Sequence, residues 1–83
     1  MTLASGVETE VPYVNLKVYY MGVNGGDVTV TRWSASKGAK VPLFNGPVLS
    51  GEEVEIETNT SSGKLYMTAD AANTYVDFYQ KNP

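Results

Sequence analysis

Short runs in which apolar and polar residues alternate are the feature that most constrains the fold of this chain. The run Glu52–Thr58 places Val54 and Ile56 on one face and glutamates on the other. The runs Lys64–Ala69 and Thr74–Gln80 follow the same two-residue period. Such alternation is typical of β-strands with one buried face, whereas an amphipathic helix needs apolar residues three and four positions apart. No window of the sequence has that helical stripe, so we expect an all-β domain.

Three further runs complete the predicted strands. Val11–Tyr20 and Val28–Trp33 alternate clearly, and Val41–Phe44 is a short edge strand because Pro42 cannot donate a ladder hydrogen bond. The turn residues Asn24–Asp27 (Asn-Gly-Gly-Asp) predict a hairpin, since asparagine and glycine accept the positive φ that such turns need. About six antiparallel strands predict a small two-layer sandwich, with a partly open barrel as the alternative.

The 83 residues are enough for one domain. Residues 1–10 are small, polar and acidic without periodicity, so we expect a flexible N-terminal arm followed by a single β domain over 11–83. A chain of this size buries only about 60–65% of the surface that its unfolded form exposes. The sequence has no cysteine and no histidine, which excludes disulfides and argues against zinc. We therefore expect no metal or cofactor, and stabilisation by close packing or by a partner subunit.

Charge and hydropathy remove further classes of function. The net charge is −3 and the six basic residues are scattered, so a basic nucleic-acid-binding surface is not expected. The sequence begins without the features of a signal peptide, and no apolar run reaches the roughly 20 residues that a membrane helix needs. We expect a complete gene product made in the cytoplasm, with a virion as an alternative final location.

Catalysis is not expected either. Nucleophilic catalysis usually needs a histidine base, and the chain has none. Glu53, Glu55 and Glu57 project from one strand face roughly 7 Å apart, and we interpret them as a solvated face that blocks edge-to-edge pairing. Asn24, Asp27 and similar residues are interpreted as turn-forming rather than as calcium ligands, because the spacing of a calcium loop is missing.

The aromatic residues are the most informative feature for function. The predicted strands place Tyr20, Phe44 and Phe78 inward. They place the candidate interface or binding residues outward: Tyr13, Tyr19, Trp33, Tyr66, Tyr75 and Tyr79. Outward tyrosines occur at protein interfaces, where a rigid ring carries a polar tip. They also stabilise exposed sheets through cross-strand pairs, or stack on sugar rings.

These observations predict a non-enzymatic structural or assembly protein that acts through protein–protein contacts. The size, the class and the lack of chemistry suit a small accessory component of a larger particle, such as a bacteriophage capsid-decorating or other virion protein. Self-association into a homo-oligomer is left open. The alternative is a carbohydrate- or peptide-binding β module that uses exposed aromatics.

Overall fold

The computed structural model describes residues 1–60 and 62–81, which form eight β-strands and no helix. In chain order the strands are β1 (Thr2–Leu3), β2 (Thr9–Pro12), β3 (Val18–Asn24), β4 (Val28–Ser34), β5 (Ala39–Pro42), β6 (Glu53–Glu57), β7 (Lys64–Ala69) and β8 (Thr74–Gln80). Within the described residues, nothing resembles a helix that could cross a membrane.

The strands form two four-stranded sheets that pack face to face. Sheet 1 has the order β1-β8-β3-β6, and sheet 2 has the order β2-β7-β4-β5. Neighbouring strands are antiparallel throughout both sheets. The predicted two-layer antiparallel sandwich is confirmed, with eight strands where about six were expected.

The strand pairing shows how the chain reaches this arrangement. β1 pairs with β8, β2 with β7, β3 with β6 and β4 with β5, so the chain forms one long hairpin whose tip lies between β4 and β5. Rolling this hairpin brings β8 beside β3 and β7 beside β4. Eight strands with this double Greek-key order are a jelly roll.

The core lies between the sheets, where the alternating apolar residues meet. Met21 and Val76 from sheet 1 and Val30 and Met67 from sheet 2 are almost fully buried. The inward positions predicted for β4, β6, β7 and β8 are confirmed. In each of these strands the aliphatic residues occupy only one phase of the alternation, so the sequence identifies the buried face. Phe44 and Phe78, also expected inward, are half-buried and pack against this core.

The expected arm over residues 1–10 is instead part of the sandwich. Leu3 is buried in the core, and Thr2 and Leu3 pair with β8. Residues Thr9–Pro12 form β2, which pairs with β7, so the expected boundary after residue 10 cuts through a strand. The segment lacks periodicity because β1 is only two residues long.

The predicted strand Val11–Tyr20 is also wrong, because a turn divides it. The main-chain N–H of Lys17 donates to the carbonyl of Val14 at 3.3 Å, and Leu16 adopts a positive φ of 65°. The apolar residues Val14 and Leu16 continue the alternation across this turn, although both are exposed. The turn carries the chain from β2 in sheet 2 to β3 in sheet 1.

The turn 24–27 likewise joins two sheets and is not a hairpin, since β3 belongs to sheet 1 and β4 to sheet 2. Its glycines are still required, for a different reason. Gly25 has a φ of +106°, and a Cβ on Gly26 would lie only 2.6 Å from the Thr74 hydroxyl oxygen. The glycines let this corner pack directly against the β7–β8 turn.

Candidate docking surface

Three of the six candidate aromatics are buried rather than exposed. Tyr13 and Tyr19 belong to the hydrophobic core, which corrects their expected outward position. Tyr20, expected inward, lies on the outer face of sheet 1, because its neighbours Tyr19 and Met21 are the buried residues of β3. The run before Tyr20 has apolar or aromatic residues in both phases, so alternation alone does not identify its inward face.

Tyr13 and Tyr19 hold the β2–β3 turn. The Tyr13 hydroxyl donates to the Lys17 carbonyl at 2.9 Å and accepts from the Thr58 main-chain N–H at 2.8 Å. The Tyr19 hydroxyl accepts from the Val14 main-chain N–H at 3.1 Å. The two rings are in contact, with centroids 4.7 Å apart. Their polar tips therefore satisfy main-chain groups of this protein and are not available to a partner.

Tyr66 and Trp33 lie on strands of sheet 2. Tyr66 has the predicted outward phase but is only 8% exposed, because Lys40 lies over it with Nζ 4.1 Å from the ring centroid. Lys40 is held there by an ion pair with Glu8. Trp33, near the end of β4, is half-buried. The Tyr66 ring is therefore not placed for broad contact with another molecule.

Tyr75 and Tyr79, in contrast, project from the outer face of sheet 1. Each is 50% exposed, as expected from the alternation in β8. Tyr20 on β3 is directly opposite Tyr79, and the two ring centroids are 5.0 Å apart. Sheet 1 thus presents a group of three tyrosines that the sequence predicted only in part. The signal for Tyr20 was available in Met21 and Val23, which alternate with it.

Gly22 has no side chain, and the neighbouring Tyr20 ring occupies the space above it. The Tyr20 ring leans along β3 over Gly22, so that a Cβ added there would lie 3.2 Å from the Tyr20 hydroxyl oxygen. The Tyr20 hydroxyl donates a hydrogen bond to Glu53, which with partial desolvation raises the pKa of Tyr20 to about 12.

Carboxylates surround the three rings. The outward residues of β6 and β8 include four acidic side chains: Glu53, Glu55, Glu57 and Asp77. Lys81 pairs with Glu55, which lies opposite Tyr20 in the ladder. We call the surface made of Tyr20, Tyr75, Tyr79 and these four carboxylates the tyrosine face.

A groove of about 420 Å³ crosses the tyrosine face. Tyr20, Gly22 and Tyr75 line it, and Asn24, Glu53 and Asp77 supply polar groups. Its ring faces offer stacking surfaces and its oxygens accept hydrogen bonds. This combination suits recognition of a cationic or hydroxyl-rich ligand.

The outer face of sheet 2 has a different character. Threonines dominate it, with Thr29 and Thr68 opposite each other in the ladder. Its charges are paired within the face, Lys40 with Glu8 and Lys64 with Glu10. Charged and aromatic groups left open to a partner are therefore concentrated on sheet 1.

Among residues 1–60 and 62–81, no three acidic side chains come together in a way that could hold a metal ion. Comparison with protein-family models, with curated proteins and with solved structures gives no match.

Proposed function

We propose that this chain is a non-enzymatic assembly protein that docks on a larger particle through the tyrosine face. The proposed class includes accessory components of bacteriophage virions, such as capsid-decorating proteins. The observation that carries the proposal is the exposure of Tyr75 and Tyr79 on a sheet whose core is already complete on its other side.

Residue type supports protein docking by this face. Tyrosine combines large contact area with a hydroxyl and loses little conformational entropy on binding, so it is enriched at interfaces. Tyr20 already contacts the Tyr79 ring and lies over Gly22. A ring that is ordered before binding lowers the entropic cost of association.

Charge indicates the kind of partner. Two copies of the tyrosine face brought together would oppose their carboxylates, and like charges across an interface are unfavourable. The complementary surface is therefore basic and belongs to a different protein. Association through this face should weaken as salt concentration rises, because salt screens exposed charges.

The jelly roll is compatible with the proposal without deciding it. The architecture occurs in viral capsid proteins and also in lectin domains and cupins. Function must then be argued from the surface rather than from the fold.

The test is co-sedimentation with a large particle from the source that produces the protein. We expect the wild-type chain to sediment with the particle in a fixed copy ratio. The double substitution Tyr75→Ser with Tyr79→Ser should release it, with at least about a tenfold loss of affinity. The matched control is Thr29→Ala with Thr68→Ala on sheet 2, which should stay bound. Recovery of the wild-type chain only as a free small protein would overturn the proposal.

A second candidate function is glycan binding by the same face. The groove between Tyr20 and Tyr75 favours it, since ring faces stack on sugars while Asn24 and Asp77 accept hydrogen bonds from hydroxyls. A glycan array with titration calorimetry separates the two functions. Saturable binding of a neutral oligosaccharide, abolished by Tyr75→Ser and insensitive to salt, would favour glycan recognition over protein docking.

A further inference from the structure

Strand β8 is longer than the strand that covers its outer edge. β1 pairs only with Thr74 and Tyr75, and the main chain of Met1 then exchanges two hydrogen bonds with Val76. Within the described residues, no strand lies beside β8 beyond Val76 on this side. At residues 77–79, the open part of β8, the strand is therefore paired on its β3 side alone.

The direction of the free main-chain groups follows from the ladder. In an antiparallel strand, alternate residues direct their N–H and C=O to opposite sides. Val76 directs both groups towards β1, and the N–H of Lys81 donates to Val18 of β3 at 2.8 Å. Phe78, two residues after Val76, therefore directs its N–H and C=O outward, into the space where β1 has ended.

The other sheet edges carry features that prevent pairing with another chain. β6 presents Glu53, Glu55 and Glu57, and β5 and β2 both end in proline. Charged and proline residues on edge strands are a recognised defence against added strands. The open part of β8 has no proline and a single charged residue, Asp77.

An apolar groove of about 470 Å³ runs along this open edge, between the two sheets. Met1, Val11, Pro12, Tyr19 and Phe78 line it. Inward side chains of a strand placed beside Phe78 would enter this groove. Its outward side chains would lie next to Asp77, on the same side as the tyrosine face.

We propose that the open edge of β8 binds an extended segment of a partner protein, which adds to sheet 1 as an antiparallel strand in line with β1. In this binding mode main-chain hydrogen bonds provide affinity and pockets for alternate side chains provide specificity. The segment carries apolar residues at every second position, to fill the groove, and basic residues between them, to face Asp77. The site shares Asp77 with the tyrosine face, but its main-chain pairing at Phe78 does not need the exposed rings, so either site can exist without the other.

A peptide of alternating lysine and valine, acetylated and amidated at its ends, is the probe. We expect saturable binding to the full chain, measured by NMR, with amide exchange at Phe78 slowed by about tenfold or more. Two N-methylated isomers of equal charge are the matched controls. Because inward residues direct their N–H to β8, methylation of the valine nitrogens should weaken binding by about tenfold or more, and methylation of the lysine nitrogens should not.

Protein variants supply the second control. Asp77→Asn should weaken the peptide complex, whereas Glu57→Gln at the far edge of sheet 1 should leave it unchanged. Equal binding of the two methylated isomers would show that the peptide binds by charge attraction and not by strand pairing, which would overturn the proposal. So would no binding, or unchanged exchange at Phe78. Concentration-dependent dimerisation with protection of Phe78 in the protein alone would identify a second copy, and not a partner segment, as the occupant.

Discussion

Asp27 and Asp70 tie together two corners of the sandwich through reciprocal hydrogen bonds. The Asp27 main-chain N–H donates to Oδ1 of Asp70 at 2.8 Å, and the Asp70 main-chain N–H donates to the Asp27 carbonyl at 3.0 Å. Oδ1 of Asp27 also accepts from the Ser50 main-chain N–H at 2.9 Å. Three connections between strands are thereby joined at one end of the molecule.

Asp70→Ala should lower the free energy of unfolding by about 1 kcal/mol, because it removes the acceptor of the Asp27 N–H at a solvent-accessible site. Urea unfolding followed by circular dichroism measures the change. The control Glu57→Ala, an exposed side chain on β6, should stay within about 0.5 kcal/mol of the wild type. Equal effects of the two substitutions would show that the corner bond contributes nothing.

Gly26→Ala should destabilise the protein by about 1–3 kcal/mol, as overpacking does in other tightly packed sites. The added Cβ would lie 2.6 Å from the Thr74 hydroxyl oxygen and 2.9 Å from the Ala71 Cβ. Gly46→Ala is the matched control, since no heavy atom lies within 4 Å of its Cβ position. Thermal unfolding of both variants shows whether the destabilisation comes from the steric contacts at Gly26 or from replacing a glycine in general.

Tyr13→Phe should cost about 1–3 kcal/mol, because the main-chain groups of Lys17 and Thr58 lose their shared partner in a mostly buried place. The ring is retained, so core packing hardly changes. Tyr79→Phe, on the solvent-exposed side of sheet 1, should be almost neutral. Chemical denaturation of the two variants side by side is the measurement, and a neutral Tyr13→Phe would contradict the role given to the hydroxyl.

Tyr20 should ionise at a higher pH than an ordinary tyrosine in an alkaline titration followed by ultraviolet absorbance. Its hydrogen bond to Glu53 raises its pKa from the ordinary value of 10.0 to about 12. Because the folded pKa is the higher one, the stabilisation is complete below pH 10 and is lost as the pH rises towards 12. Glu53→Leu should bring the pKa of Tyr20 back towards 10.0, and an unchanged titration would exclude the bond.

The inward faces that alternation predicted correctly belong to strands with aliphatic residues in one phase only. Val54 and Ile56 on β6 and Leu65 and Met67 on β7 are examples. The run Val11–Tyr20 has aliphatic and aromatic residues in both phases, and there the outcome depended on which hydroxyls found main-chain partners. The main-chain partners of the Tyr13 hydroxyl include Thr58 and Ile56, which are distant in sequence, so the local pattern does not contain this outcome.

Other features of the surface depend on packing that local patterns do not contain. Lys40 covers Tyr66 only because β5 and β7 lie in the same sheet and Glu8 holds the lysine in place. The chemistry of the turn 24–27 suits a hairpin and a corner equally well. The open edge at Phe78 results from the different lengths of β1 and β8, which lie at opposite ends of the chain.

The pairing of the chain's two ends has a consequence for the order of folding. β4 and β5 are joined by a short turn, whereas Met1 and Val76 meet across a sequence separation of 75 residues. The entropic cost of closing a loop rises with its length, so pairing should begin at the hairpin tip and reach β1 last. The edge of β8 is then the last part of the sheet to be covered, and even in the finished molecule it is covered only in part. An extended segment that binds there would pair with β8 in the same way as β1 does in the final step of folding.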